Sequence, residues 1–253
     1  MIKKINISEK DKEVLESIKI DSDIEINDFF DYSQVVIDKP WGYEYSLFKN
    51  NDIDVWILCI GFEHKTSMHC HPHKKTALTV LSGEAEILTF NEKVKLKAGE
   101  GILIDKGVFH STEALSPEGI FLIESETPVN KKNLIRFDDV YGRTKKRYES
   151  GKYVKPRDRS IMNCFYDLKE RYDFEKKFGD CHLLILNFPG DDFFRTKINS
   201  LKDGVAIILK GKFHNSNGDC LFEHGDLVSV SKFRNEKDIC INGEVDLLLI
   251  YKK

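Results

Sequence analysis

From Val35 onward the chain is written in short apolar runs cut by turn residues. Val55–Ile60, Ala77–Leu81, Ala85–Phe90, Gly101–Ile104 and Gly119–Ile123 each have the length of a strand and are too short for a buried helix. Ser82-Gly83-Glu84 and Asn91-Glu92 between them are hairpin chemistry. Many short strands at regular spacing predict a sandwich or barrel. Ahead of them, Ser8-Glu9-Lys10-Asp11 has the form of a capping box, and Val14, Leu15 and Ile18 follow at helical spacing. A short helix over residues 8–19 is predicted.

Residues 141–178 break the rhythm. Tyr141-Gly142-Arg143-Thr144-Lys145-Lys146-Arg147 is basic, Pro156 follows, and Tyr166 to Phe178 is charged with helical spacing, as in a partly helical connector. Strands then resume. Cys181–Phe188 repeats the pattern of Val55–Phe62, Val205–Lys212 that of Leu78–Ala85, His224–Val230 that of Ala98–Ile104, and Val245–Tyr251 that of Gly119–Ile123. An internal repeat of this kind predicts two barrels. The expected class is all-β: two tandem jelly-roll barrels with a short N-terminal helix. The expected division is an N-terminal helical extension (1–34), a first barrel (35–143), a connector (144–178) and a second barrel (179–253).

The chain has 253 residues, 41% hydrophobic and 32% charged, enough for a sizeable core. A net charge of −3 gives no basic excess to recommend nucleic acid or an anionic membrane as a partner. Met1-Ile2-Lys3-Lys4-Ile5 leads into a polar segment, so no signal peptide or membrane span is expected. The six cysteines are scattered without a Cys-x-x-Cys pair. They read as small buried hydrophobes of a reduced, cytoplasmic protein.

The candidate chemistry lies in the first barrel. His69 and His71 are spaced i, i+2, so on a strand both aim at one spot while Cys70 points away. Gly99 to Gly107 then brings a third imidazole, His110, after a tight turn. Three converging imidazoles make a nitrogen-type site for a divalent metal, zinc first, with manganese or iron as alternatives. The second copy carries Phe194-Arg195-Thr196-Lys197-Ile198 where the first has its His pair, and Arg234–Glu236 where the first has His110. Any metal is therefore expected in the first barrel, and the second is expected to be degenerate and without ligands.

These residues resemble the cupin superfamily, and with the internal repeat the resemblance implies a bicupin. His69-x-His71, Thr76 and Gly83 follow its first motif, with Thr76 at the place of the motif glutamate and Gly61 two residues further upstream than the pattern. Gly99, Gly107 and His110 follow the second, with Asp105 in place of a proline and Ala114 in place of an asparagine. A narrower resemblance, over residues 37–143, is to the cupin domain of type II phosphomannose isomerases and mannose-1-phosphate guanylyltransferases. It is carried by Lys39-Pro40-Trp41-Gly42-Tyr43-Glu44, by Val80-Leu81-Ser82-Gly83-Glu84-Ala85 and by Leu134–Arg143, which contains Arg136-Phe137-Asp138-Asp139 and Tyr141-Gly142-Arg143.

The resemblance implies metal-dependent isomerisation or epimerisation of a sugar phosphate or nucleotide sugar, a step of carbohydrate metabolism in surface-polysaccharide biosynthesis. It implies His69, His71 and His110 as metal ligands and Arg143 facing the substrate. His73 is a possible fourth ligand, although Pro72 interrupts the strand. With Thr76 unable to ligate as a carboxylate, Glu44 and Glu124 are the nearest candidates for a replacement carboxylate or base. Lys65, Lys74 and Lys75 could bind an anion, a solvated surface being their plain alternative. Trp41 reads as core. Two other functions stay open: an iron-dependent dioxygenase and a non-catalytic sugar-binding protein. A homodimer joined at a sheet edge is the expected assembly.

Overall fold

The computed structural model describes residues 2–18, 31–130, 133–138, 153–156, 175–201 and 203–253. The first part of the chain forms β1 (Lys3–Ile5), α1 (Glu9–Ser17), β2 (Val35–Lys39), β3 (Gly42–Lys49), β4 (Asp54–Ile60), β5 (Met68–Cys70), β6 (Lys75–Ser82) and β7 (Glu84–Thr89). It continues with β8 (Lys93–Lys97), β9 (Gly101–Ile104), β10 (His110–Ala114), β11 (Ile120–Thr127), β12 (Ile135–Asp138) and β13 (Val154–Pro156). A large sheet in the order β1-β9-β6-β11-β4-β3-β2-β13 faces a smaller one in the order β12-β5-β10-β7-β8. Between them lies an apolar interior of Trp56, Leu58, Leu78, Val80, Ile87, Ile102 and Leu122. Trp41 belongs to that interior, as its reading as core expects.

The second part forms β14 (Lys176–Phe178), β15 (Cys181–Phe188), α2 (Asp191–Ser200), β16 (Gly204–Lys210), β17 (Lys212–His214), β18 (Cys220–Glu223), β19 (Leu227–Ser229), α3 (Val230–Asn235), β20 (Cys240–Ile241) and β21 (Val245–Tyr251). Its sheets run β14-β15-β21-β16-β19 and β18-β17-β20. The internal repeat is visible in strand order: β9-β6-β11-β4 matches β19-β16-β21-β15, and β10-β7-β8 matches β20-β17-β18. The chain is all-β, with two tandem jelly-roll barrels.

Where the first barrel has β5, the second has α2. Phe194 and Ile198 stand four residues apart on that helix and are both buried, so helical spacing and not strand alternation governs the segment. The second interior is filled by Phe188, Phe194, Phe213 and Phe233. Arg234, expected at the place of His110, lies on α3, and the counterpart of β10 is β20. The two large sheets pack back to back through a shared core that includes Leu47, Ile57, Ala77 and Ile123 from the first and Leu183, Ile207, Leu227 and Leu248 from the second. Strands in this core are buried on both faces, which is why they read as continuous apolar runs.

Most of the expected connector lies outside the described residues. Its last residues, Lys176–Phe178, pair with β15 as a strand, not as the end of a helix. The N-terminal helix forms with its capping box in place: Ser8 accepts from Asp11 N–H, and Asp11 accepts from Ser8 N–H. Among the described residues no helix is long and apolar enough to cross a membrane, and Cys59, Cys70, Cys181, Cys220 and Cys240 are free thiols.

Candidate metal centre

β5 and β10 are antiparallel neighbours, and His110 sits directly opposite His69. His71 follows β5 immediately and keeps its alternation, so it shares the inner face with His69. The ring centroids are 4.6 Å apart for His69 and His110, 5.2 Å for His69 and His71, and 5.8 Å for His71 and His110. All three are buried.

Each ring is held by one nitrogen. His69 Nδ1 lies 2.7 Å from Ser67 O, His71 Nδ1 2.7 Å from Asn133 O, and His110 Nδ1 3.0 Å from Val108 O. A carbonyl only accepts, so Nδ1 carries the proton in each ring and Nε2 keeps its lone pair. This is how metal-binding histidines are oriented. Nε2 of His71 and of His110 is buried without a hydrogen bond. Glu126 Oε1 lies 3.0 Å from His71 Nε2, but there a lone pair faces a carboxylate oxygen, and only a cation or an added proton reconciles the two.

A carboxylate lies beside the three rings on β11, the neighbour of Thr76's strand β6. Ligating atoms of His69, His71, His110 and Glu124 all lie within 4.8 Å of one another. Glu124 and Glu126 share the inner face of β11, opposite Leu78 and Thr76 of β6. Three imidazole nitrogens and one carboxylate oxygen suit a divalent transition metal or zinc. Glu126 is in turn held by Lys74, whose Nζ is 2.6 Å from Oε2 and whose side chain is 1% exposed. On β12, Arg136 is directly opposite His69.

Burial pushes all three imidazoles below the ordinary histidine range, and their mutual repulsion adds to it for His69 and His110. His110 falls to about 4. An unfolded chain takes up these protons near pH 6.5, whereas the folded chain resists until lower pH. The stability they contribute is therefore complete above about pH 6.5 and is lost on descent towards 4. We expect the melting temperature of the metal-free protein to fall across that window, less steeply in His110→Gln. Identical slopes in the two proteins would contradict this assignment.

The remaining expected residues are dispersed. His73 is exposed in the turn after β5 and donates its backbone N–H to Asn133 Oδ1 at 2.9 Å; the strand has ended, so it does not join the cluster. Glu44 lies on β3, two strands from Glu124, and pairs with Lys39 at 3.2 Å. Lys65 is half-buried, and its backbone forms an isolated antiparallel β-bridge with that of Glu113. Lys74 is inside the site, but its charge is matched by Glu126 and not offered to solvent. Lys75 pairs with Asp226 of the second barrel at 2.7 Å. Arg143 lies outside the described residues.

Sequence reasoning missed Glu126, Asn133 and Arg136. Glu124-x-Glu126 has the same i, i+2 spacing as His69-x-His71 and could have been read the same way.

Residues 59–124 match the model of the Cupin_2 domain. The xanthan biosynthesis protein XanB of Xanthomonas campestris pv. campestris (strain B100) is 26% identical over 108 residues, 42% of this chain. The chain spans only 23% of that relative's length. A conserved protein with a double-stranded β-helix domain from Klebsiella pneumoniae subsp. pneumoniae has a TM-score of 0.35 at 24% identity, over 38% of this chain and 84% of that one. KdgF from Halomonas sp. has a TM-score of 0.35 at 18% identity, over 36% of this chain and 84% of that one. Overlaps this partial transfer no activity. The domain match over residues 59–124, lying on a jelly roll that gathers His69, His71 and His110, supports placing the first barrel in the cupin superfamily.

Proposed function

We propose that this chain is a bicupin that isomerises or epimerises a sugar phosphate or nucleotide sugar with a divalent metal, zinc first, in the synthesis of surface-polysaccharide precursors. The observation that carries this reading is the inward-facing cluster of His69, His71, His110 and Glu124 with the Lys74–Glu126 pair beside it. The resemblance of residues 37–143 to phosphomannose isomerase cupins supports the substrate class. So does the name of XanB, a xanthan biosynthesis protein.

His69, His71 and His110 through Nε2, with Glu124, would hold the metal, which would supply Lewis-acid stabilisation of negative charge on the substrate's oxygens. The chain's own residues do the rest. Glu126, oriented by Lys74, takes a proton from one carbon and returns it to its neighbour. Arg136, beside His69, faces the anionic part of the substrate, and Arg143 does so by resemblance. The apolar interior behind the cluster keeps bulk water out. The second barrel, its interior rich in phenylalanine, buttresses the large sheet.

The test combines elemental analysis with solvent exchange. Near-stoichiometric zinc or manganese is expected, with deuterium from solvent entering the carbon beside the carbonyl of at least one hexose phosphate. Iron with oxygen uptake would favour the dioxygenase instead. No exchange across a panel of sugar phosphates would sink the isomerase reading.

A further inference from the structure

The loop over residues 105–109 delivers His110 to β10, and three backbone amides anchor it, beside a Lys4–Asp105 ion pair at 3.2 Å. Asp105 N–H donates to Ile5 O and Gly107 N–H to His71 O, both at 2.9 Å. Phe109 N–H donates to Asp11 Oδ1 at 2.9 Å. Two of these three anchors come from the N-terminal segment. The third ties the loop to a second histidine, so moving the loop changes the placing of His110 relative to His71.

Asp11 is the unusual member. It lies on a helix rich in exposed charge, yet it is 3% exposed. Its capping duty uses one oxygen: Oδ2 accepts from Ser8 N–H at 2.9 Å and from Ser8 Oγ at 2.5 Å. The other oxygen crosses to Phe109, which is fully buried and whose amide would otherwise be orphaned. The helix also presses on the loop. Gly107 adopts φ +76°, and a Cβ there would meet Ile7 at 2.9 Å and Leu15 at 3.0 Å.

We infer that Asp11 is a positioning residue for the metal centre, setting the loop that carries His110 so that its Nε2 meets those of His69 and His71. The inference rests on the metal reading above. Removing Asp11 frees the Phe109 amide and lets the loop drift from His71, so metal affinity falls in a chain that is still folded.

The experiment titrates metal-free full-length protein with zinc alone, in competition with a chromophoric chelator, and records the melting temperature of each metal-free variant. Asp11→Ala is expected to weaken zinc binding about tenfold, the lower end of what groups that orient metal ligands contribute. Asp11→Asn, which keeps an oxygen for Phe109, recovers most of that loss. Ser8→Ala weakens the same helix cap but spares the bond to the loop. It lowers the melting temperature and leaves zinc affinity near wild type. A purely structural role would make affinity follow melting temperature across the series. If Asp11→Ala does not fold, Asp11→Ser, whose side chain is too short to cap Ser8 and reach Phe109 together, decides: weakened zinc binding supports the inference and wild-type binding overturns it. Zinc bound equally by Asp11→Ala and wild type overturns the inference alone. A wild-type protein that binds no zinc overturns the metal reading and this inference with it.

Discussion

His110→Ala loses stoichiometric divalent metal: its affinity is expected to fall by more than about a hundredfold, beyond the range seen for groups that only orient ligands. Of the proposed ligands, His110 is the one whose loss is easiest to read, because its Nδ1 bond is to Val108, next but one in the chain, and its Nε2 has no hydrogen bond. Substitution removes a donor to the metal and leaves few other groups stranded. The metal-free variant should melt close to the metal-free parent. The wild type, at a metal concentration of 100 Kd, gains about 2.7 kcal/mol, or roughly 5–10 °C for a chain of this size, and the variant gains almost none. Glu124→Gln should also weaken metal binding strongly, at constant volume. Thr76→Ala should not, since Thr76 stands at the motif position but the cluster draws its carboxylate from β11. Competition titrations with zinc and manganese check all three. Equal losses in Thr76→Ala and Glu124→Gln would remove the case for a relocated carboxylate.

The histidines were legible because their geometry is local. An i, i+2 pair on a strand needs no knowledge of the partner strand to converge, and His110 follows a turn whose glycine spacing is itself a signal. Glu124 could only be named as one of two nearby carboxylates, because which one arrives depends on strand register. The alternation Ile120, Leu122, Glu124, Glu126 on the inner face of β11 passes from core to site along one strand. Read as sequence, the apolar run breaks after Ile123, where Glu-Ser-Glu-Thr begins, and nothing in it marks the strand as continuing to Thr127. In the second barrel, Phe194 and Ile198 carried a helical spacing that the expectation of a repeat overrode. The repeat itself was real, as the matching strand orders show. Lys74 illustrates the remaining limit: a lysine in a polar run reads as surface, and only its burial against Glu126, fifty-two residues away in the chain, makes it part of the interior.

Lys74→Met is expected to cost about 3–5 kcal/mol of stability in the metal-free protein, the range for removing one partner of a buried ion pair. Methionine keeps most of the side-chain volume, so the loss comes from the Glu126 carboxylate, left buried and facing the His71 lone pair at 3.0 Å. Removing both charges repairs this. Lys74→Met/Glu126→Gln should regain most of the lost stability, giving a coupling energy well above that of independent sites. Zinc should repair it too, because a cation held by the histidines supplies Glu126 with the positive charge that Lys74 no longer provides. The penalty of Lys74→Met should therefore shrink when zinc is present, whereas an ordinary core defect would cost the same with and without metal. Urea denaturation of the four proteins of the cycle, each with and without zinc, measures both effects. Additive losses in the cycle would show that Lys74 and Glu126 do not act as a pair. A penalty unmoved by zinc would separate that pair from the metal centre, and Glu126 would then be a structural carboxylate with no place in proton transfer.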